Sequence, residues 1–250
     1  MQLAGAAGAT ALVGACSDRG VAVPQASSET VTPLQTTATK PATLSAPAAP
    51  AQMPEPGIRL CRDTWGARPP LPGGRPHTIS RMTIHHTAVV LGDNRNITSR
   101  LRQHQRLHQD ENGWIDIAYH VGVDRDGNIF ELRRTDIAGD TATNYDTTGH
   151  FLVVCEGNFD EEPVSDEQLD GAARAFAWAA QEFGILSTSL MSHQEVTPTT
   201  ACPGVNLQAH VASGELKRRI DDLLAAGMVQ LQPLCLPQAA DIVAAIEAGR

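Results

Sequence analysis

Three short segments, far apart along the chain, carry the side chains that most restrict its fold. They are Thr83-Ile84-His85-His86-Thr87-Ala88, Trp114-Ile115-Asp116-Ile117-Ala118-Tyr119-His120, and His193-Gln194-Glu195-Val196-Thr197-Pro198-Thr199-Thr200-Ala201-Cys202-Pro203-Gly204. Together they offer two imidazoles, one thiolate and one phenol. Two His and one Cys make three zinc ligands and leave a tetrahedral position open for water. A closed structural site uses four protein ligands, so three with an open position point to catalysis.

Hydrophobic periodicity places these segments on elements. Residues 79–88 alternate as a strand, with Met82, Ile84 and His86 on one face and Thr83, His85 and Thr87 on the other. Adjacent strand residues point to opposite faces, so one zinc does not take both histidines. The apolar face is the expected core face, and the alternation selects His85, on the open face, as the ligand. Residues 96–109 read as a helix with Asn96 as N-cap. Residues 115–124 and 128–133 read as strands around an Asp126-Gly127 turn, and 150–156 as a further strand. The clearest helix spans 166–183, where Ser165 and Gln168 suggest a capping box and Gly184 a stop. A short strand near 186–191 and helices over 206–226 and 238–248 complete the pattern. Strands alternating with helices predict an α/β fold, a central mixed sheet flanked by helices.

Length and composition set the outer limits. The chain has 250 residues, 42% of them apolar, which is enough for one full domain plus tails. A net charge of -9 argues against a nucleic-acid partner and against polybasic membrane binding. Residues 1–16 read as a signal segment: Ala11-Leu12-Val13-Gly14-Ala15 is small and apolar, and Cys16 follows in the manner of a bacterial lipobox. No Lys or Arg precedes Arg19. The expectation is export to the cell envelope with a possible lipid anchor at Cys16. Residues 17–57, rich in Pro, Ala, Thr and Ser, read as a disordered tether. The folded domain is expected over 58–230, with 231–250 a helical appendage. Of the remaining cysteines, Cys61 and Cys235 bracket the domain and could pair as a clasp, although sequence does not fix connectivity. Cys155 lies in an apolar strand and reads as a buried free thiol.

The three segments, with Trp65-Gly66-Ala67-Arg68, Asp126-Gly127, Asn144-Tyr145 and Gly157-Asn158-Phe159, follow a familiar order. Over roughly residues 58–225 the chain resembles the zinc-dependent N-acetylmuramoyl-L-alanine amidases, which share a domain with phage T7-type lysozyme and the peptidoglycan recognition proteins. The resemblance implies Zn2+ held by His85, His193 and Cys202. Its implied substrate is peptidoglycan or muropeptides, cut at the amide between N-acetylmuramic acid and L-alanine, by a chain expected to be monomeric. Tyr119 matches the family's tyrosine beside the metal, and Thr200 a position where relatives carry Lys or Thr near the scissile carbonyl. His120, of opposite strand parity to Tyr119, reads as structural.

Departures accompany the match. His193 and Cys202 stand nine positions apart, one more than is common in the family. Where relatives often carry Gly-Ala-His ahead of Asn-Tyr, this chain has Ala138-Gly139-Asp140-Thr141, so Asp140 sits at or near the His position in a segment expected to line the cleft. Asp140 and Asn144 are therefore candidate substrate contacts. Arg68 and Arg133 are candidates either for holding substrate carboxylates or for structural salt bridges. Two rival readings remain: a module of the same fold that binds muropeptide without cutting it, and a purely structural metal or disulfide that pins the 193–202 loop.

Overall fold

A computed structural model of the chain describes residues 56–250. The signal-like segment and nearly all of the tether expected from the sequence lie outside the described residues. The first strand, β1 (Gly57–Leu60), begins one residue before the expected domain start. After it come β2 (Arg81–His86), α1 (Ile97–Arg106), β3 (Val121–Val123), β4 (Ile129–Glu131), β5 (His150–Cys155) and α2 (Asp166–Glu182). The chain ends with β6 (Leu190–Ser192), the single turn α3 (His193–Val196), α4 (Val205–Ala212), α5 (Glu215–Ala226), β7 (Leu231–Leu234) and α6 (Ala240–Glu247).

The seven strands form one sheet in the order β6-β2-β5-β3-β4-β1-β7, in which only β3 and β4 run antiparallel. The mixed, helix-flanked α/β sheet expected from the sequence is what forms. Strand alternation sends Met82, Ile84, Phe151, Val153 and Cys155 toward α2, α4 and α5, where Leu169, Phe176, Leu207 and Ile220 meet them. On the other face Leu60, Phe130 and Val154 pack with Trp65, with Ile97 and Leu101 of α1, and with Ile246 of α6. Covering both faces buries the sheet, as mostly parallel strands require, with Thr83, His85, His86 and His150 the buried polar residues of β2 and β5.

Two glycines set how closely α2 approaches. A Cβ on Gly171 would stand 2.7 Å from the Gly127 carbonyl oxygen, and one on Gly127, where φ is +80°, would stand 2.4 Å from the Glu167 oxygen. The β3–β4 turn and the helix therefore meet backbone to backbone, which only Gly permits. Ser165 caps α2 as expected, accepting from the Gln168 N–H. The Gln168 side chain does not return the bond. It donates to the carbonyls of Val123 and Glu156 instead, tying the helix start to two strands.

Several expectations shift. The strand expected over 115–124 is regular only over Val121–Val123, and at its start buried Arg133 takes the carbonyl oxygens of Asp116 and Ile117. Asp93 rather than Asn96 caps the turn that leads into α1. Beyond Arg106 the helix widens into a π-type turn over Leu107–Glu111. The single helix expected over 206–226 breaks at Gly214, where φ is +74°. Residues 231–250 are no appendage: β7 pairs along the full length of β1, and Ala239 and Ile246 are buried against Trp65 and Leu60. Cys61 and Cys235 form a disulfide that closes this edge, and Cys155 is a buried free thiol.

His120 is buried and holds one tautomer. Its Nε2 lies 3.0 Å from the Ile137 carbonyl oxygen, and its Nδ1 accepts from the Leu152 N–H at 2.9 Å. Burial presses its pKa down to about 3. Because the folded value lies below the unfolded one of about 6.5, the unfolded chain takes up a proton that the folded chain refuses. Stability is then fully present above about pH 6.5 and is lost as pH falls toward the folded pKa. Urea titrations of His120→Gln should show a shallower fall in stability between pH 6.5 and 4 than the unaltered chain, by about 1.4 kcal/mol per pH unit. An identical slope would mean that His120 does not carry this dependence.

Candidate metal centre and cleft

Parallel pairing collects the candidate residues at one end of the sheet. β6, β2 and β5 all run the same way, so their C-terminal ends lie side by side, the edge where α/β sheets place their sites. Register puts Ile84 opposite Ser192, so His85 and His86 end β2 beside His193, the first residue of α3. Ser192 and Glu195 form a capping box that fixes where α3 starts, and with it the direction of His193. The loop after α3 folds back: the Gln194 N–H donates to the Cys202 oxygen at 2.8 Å. The extra residue of this loop is absorbed without parting its ends.

His85, His193 and Cys202 converge. All three are buried, and their ligand-bearing atoms lie within 4.8 Å of one another. His85 Nδ1 stands 3.7 Å from Cys202 Sγ. A nitrogen and a sulfur bound to one tetrahedral zinc, at about 2.0–2.1 Å and about 2.3 Å, would be roughly 3.5 Å apart, so this pair fits. His86 points the other way, its Nδ1 facing the Phe159 N–H and its ring stacked on Phe159. The expectation of an open face on the His85 side is corrected: Thr83 and His85 are as buried as Met82 and Ile84, because α1 and residues 115–120 cover that side.

Burial sets the electrostatics. It pushes the His85 pKa well below the ordinary value and that of His193 to about 4, so both rings are neutral and offer a lone pair near neutral pH. The same desolvation pushes the Cys202 thiol up to about 12, although the His86 N–H aimed at its sulfur favours the thiolate. A thiol so placed releases its proton only when a cation compensates the thiolate left behind. Two neutral imidazoles and one such thiol make a donor set that fits Zn2+.

The three residues sit in a cleft of about 380 Å³, lined also by His108, Trp114, Tyr119, Asp140, Thr143, Asp160 and Thr200. The Tyr119 ring lies 5.1 Å from that of His85. Its phenol is an O–H donor near neutral pH, and desolvation raises its pKa further. Thr200 lines the cleft while its Oγ1 accepts from the Cys202 N–H. Asp140 also lines it, bound to Arg133 Nη2 at 2.6 Å.

The remaining sequence candidates fall elsewhere. Arg133 is 3% exposed and four of its five N–H donors are used on three carbonyls and Asp140, so it is a strut for the cleft wall. Exposed Arg68 is paired with Asp110, and neither it nor exposed Asn144 lines the cleft. Sequence reasoning missed the hydroxyls of Thr143 and Tyr145, which face the two imidazoles, and His108, which the π-type turn carries to the wall. Only the irregular backbone positions them, and no periodicity marks it.

Comparison with known proteins agrees with this geometry. The model of the family described as N-acetylmuramoyl-L-alanine amidase matches residues 75–205. Peptidoglycan-recognition protein LB of Drosophila melanogaster is 30% identical over 192 residues, covering 72% of this chain and 80% of the relative. A pig N-acetylmuramoyl-L-alanine amidase is 29% identical over 73% of this chain, which spans 32% of that longer protein. Among solved structures, a Tyr-to-Phe mutant of Drosophila peptidoglycan recognition protein LB in complex with tracheal cytotoxin superposes with a TM-score of 0.56 at 29% identity, over 62% of this chain and 94% of that one.

Strand geometry separates the two adjacent histidines cleanly. Metal analysis of purified variants should find His85→Ala stripped of zinc and His86→Ala still loaded. The reverse result would overturn the assignment by strand face.

Proposed function

The chain belongs to the N-acetylmuramoyl-L-alanine amidase family, and from that premise we propose that it is a zinc-dependent hydrolase of peptidoglycan or its fragments. The bond cut is the amide between the lactyl group of N-acetylmuramic acid and L-alanine. The observation that carries this reading is the convergence of His85, His193 and Cys202 on the floor of an open cleft, with a phenol beside them. Three ligands leave a coordination position for water, whereas a purely structural site would close it with a fourth. A relative that carries tracheal cytotoxin in its solved structure supports a muropeptide as the occupant of the cleft.

His85, His193 and Cys202 would hold the ion. Zinc bound there supplies Lewis acidity, lowering the pKa of its water to about 7 and polarising the scissile carbonyl. The protein's own groups do the rest. Tyr119, a protonated phenol near neutral pH whose pKa is raised further by desolvation, donates its O–H to the carbonyl oxygen as negative charge develops on it. The Thr200 hydroxyl hydrogen is free to add a second donor, because its oxygen serves the Cys202 N–H. Asp140, fixed by Arg133, gives the cleft wall a carboxylate that can accept from amide or hydroxyl groups of the substrate.

Two outcomes test this reading. Mass spectrometry of digested peptidoglycan should find free stem peptides beginning with L-alanine, and chelation should abolish their release. New reducing sugar ends without released peptides would mean a glycosidase. Muropeptide bound but never cut, with zinc in place, would mean a binding module.

Tyr119→Phe should lower kcat by roughly 10- to 1000-fold, the span from weak to strong oxyanion donors, while zinc content and KM change little. Turnover at the unaltered rate would leave Tyr119 as a packing residue.

A further inference from the structure

One loop holds the far side of both imidazoles. Thr143 Oγ1 lies 2.7 Å from His193 Nε2, and Tyr145 OH lies 3.4 Å from His85 Nε2. The Tyr145 ring also packs against the His193 ring, with centroids 5.2 Å apart. The same loop walls the cleft through Asp140, Thr141 and Thr143, and the buried Arg133 holds its base.

Proton bookkeeping gives these contacts a direction. A neutral imidazole has one N–H and one lone pair, so a nitrogen can bind a cation only when the other carries the hydrogen. In His85 the nitrogen facing Cys202 Sγ is Nδ1, which leaves Nε2 to carry the hydrogen toward Tyr145. In His193 Nε2 is the nitrogen held by Thr143. Thr143 Oγ1 has a second neighbour, Thr141 Oγ1, at 2.8 Å. When the Thr143 hydroxyl donates to Thr141, its oxygen is left to accept from His193 Nε2–H. The opposite polarity would put the ring hydrogen on Nδ1 and remove the lone pair there.

We propose that Thr143, and more weakly Tyr145, are positioning residues that hold His193 and His85 in the tautomer whose Nδ1 is free for the metal. The proposal rests on the reading that His85, His193 and Cys202 bind zinc. Ligating histidines usually donate their second N–H to a fixed partner, and loss of that partner typically costs roughly 10- to 100-fold in metal affinity. The shorter contact makes Thr143 the larger contributor. Because this loop is also the cleft wall, a substrate that presses on residues 140–143 presses on the orientation of a metal ligand.

The test uses the full chain, stripped of metal and titrated with Zn2+ against a competing chelator. Thr143→Val keeps the shape of the side chain and removes the hydroxyl; it should weaken zinc binding roughly 10- to 100-fold. Thr143→Ser should restore it to within a few-fold of the unaltered chain, and Tyr145→Phe should weaken it less than Thr143→Val does. Loaded with Co2+, the Val variant should show a shifted d–d absorption and the Ser variant the native one. A Val variant that matches the unaltered chain in both zinc affinity and cobalt spectrum overturns the proposal. Should Thr143→Val fail to fold, the 15N shifts of the His193 ring in the metal-free unaltered chain decide it: hydrogen on Nε2 supports the proposal, and hydrogen on Nδ1 overturns it. An unaltered chain that binds no zinc would instead overturn the metal reading on which the proposal stands.

Discussion

The parallel pairing of β2 with β5 on one side and β6 on the other is the constraint on which the site depends. Parallel neighbours end at the same edge, so three segments widely separated in sequence finish beside one another. The pairing holds because the sheet is buried on both faces: Phe151, Val153 and Phe176 fill one side, and Val154, Leu101 and Trp65 the other. A one-residue slip of β2 would exchange the faces of every side chain on it, sending His85 into the α2 core and Ile84 toward the cleft. Apolar packing thus fixes the register, and the register fixes which imidazole turns toward His193 and Cys202.

That packing also makes the site chemically unusual. Removing water from two imidazoles and a thiol keeps the rings neutral and the thiol protonated. Each group in isolation is a buried polar side chain that costs stability. Placed together around one point, they become a receptor for a cation that favours loss of the thiol proton and uses both lone pairs. The chain carries a net charge of -9, yet the three side chains that converge there bear no charge near neutral pH. What would draw a metal there is the donor set itself rather than a field of carboxylates.

Irregular backbone supplies the rest. Arg133, buried beneath residues 116–118 and 138–140, takes the carbonyls of Asp116 and Ile117 just ahead of Tyr119 and that of Ala138 across from them, while Tyr119 and His120 stay hydrogen-bonded to the segments beside them. The same guanidinium grips Asp140 and steadies the loop that bears Thr143 and Tyr145. One interior cation therefore shapes both walls near the phenol and the imidazoles. At the opposite edge, β7 and the Cys61–Cys235 disulfide close the sheet beside β1. The C-terminal residues thus belong to the architecture that holds Trp65 and α1 in place.

Strand alternation was legible without any structure, since period two is a local property of the backbone; it separated His85 from His86. The α2 stripe, the Ser165 cap and the Asp126-Gly127 turn were legible for the same reason: each depends on residues a few positions apart. The three metal-site candidates could be named from their residue types and order. The sequence did not reveal what each polar side chain would meet from elsewhere in the chain. Whether Arg133 met substrate or a salt bridge was left open, and it is an internal strut, because its partners at 116, 117 and 138 come from segments with no local pattern linking them to it. Residues 231–234 looked like the start of an appendage and are a strand, because β1, their partner, lies at the other end of the described chain. Thr143 and Tyr145 carry no periodic signal, and only the folded loop brings their hydroxyls to the imidazoles. Local periodicity sets elements and faces, whereas long-range packing decides which donors face which acceptors.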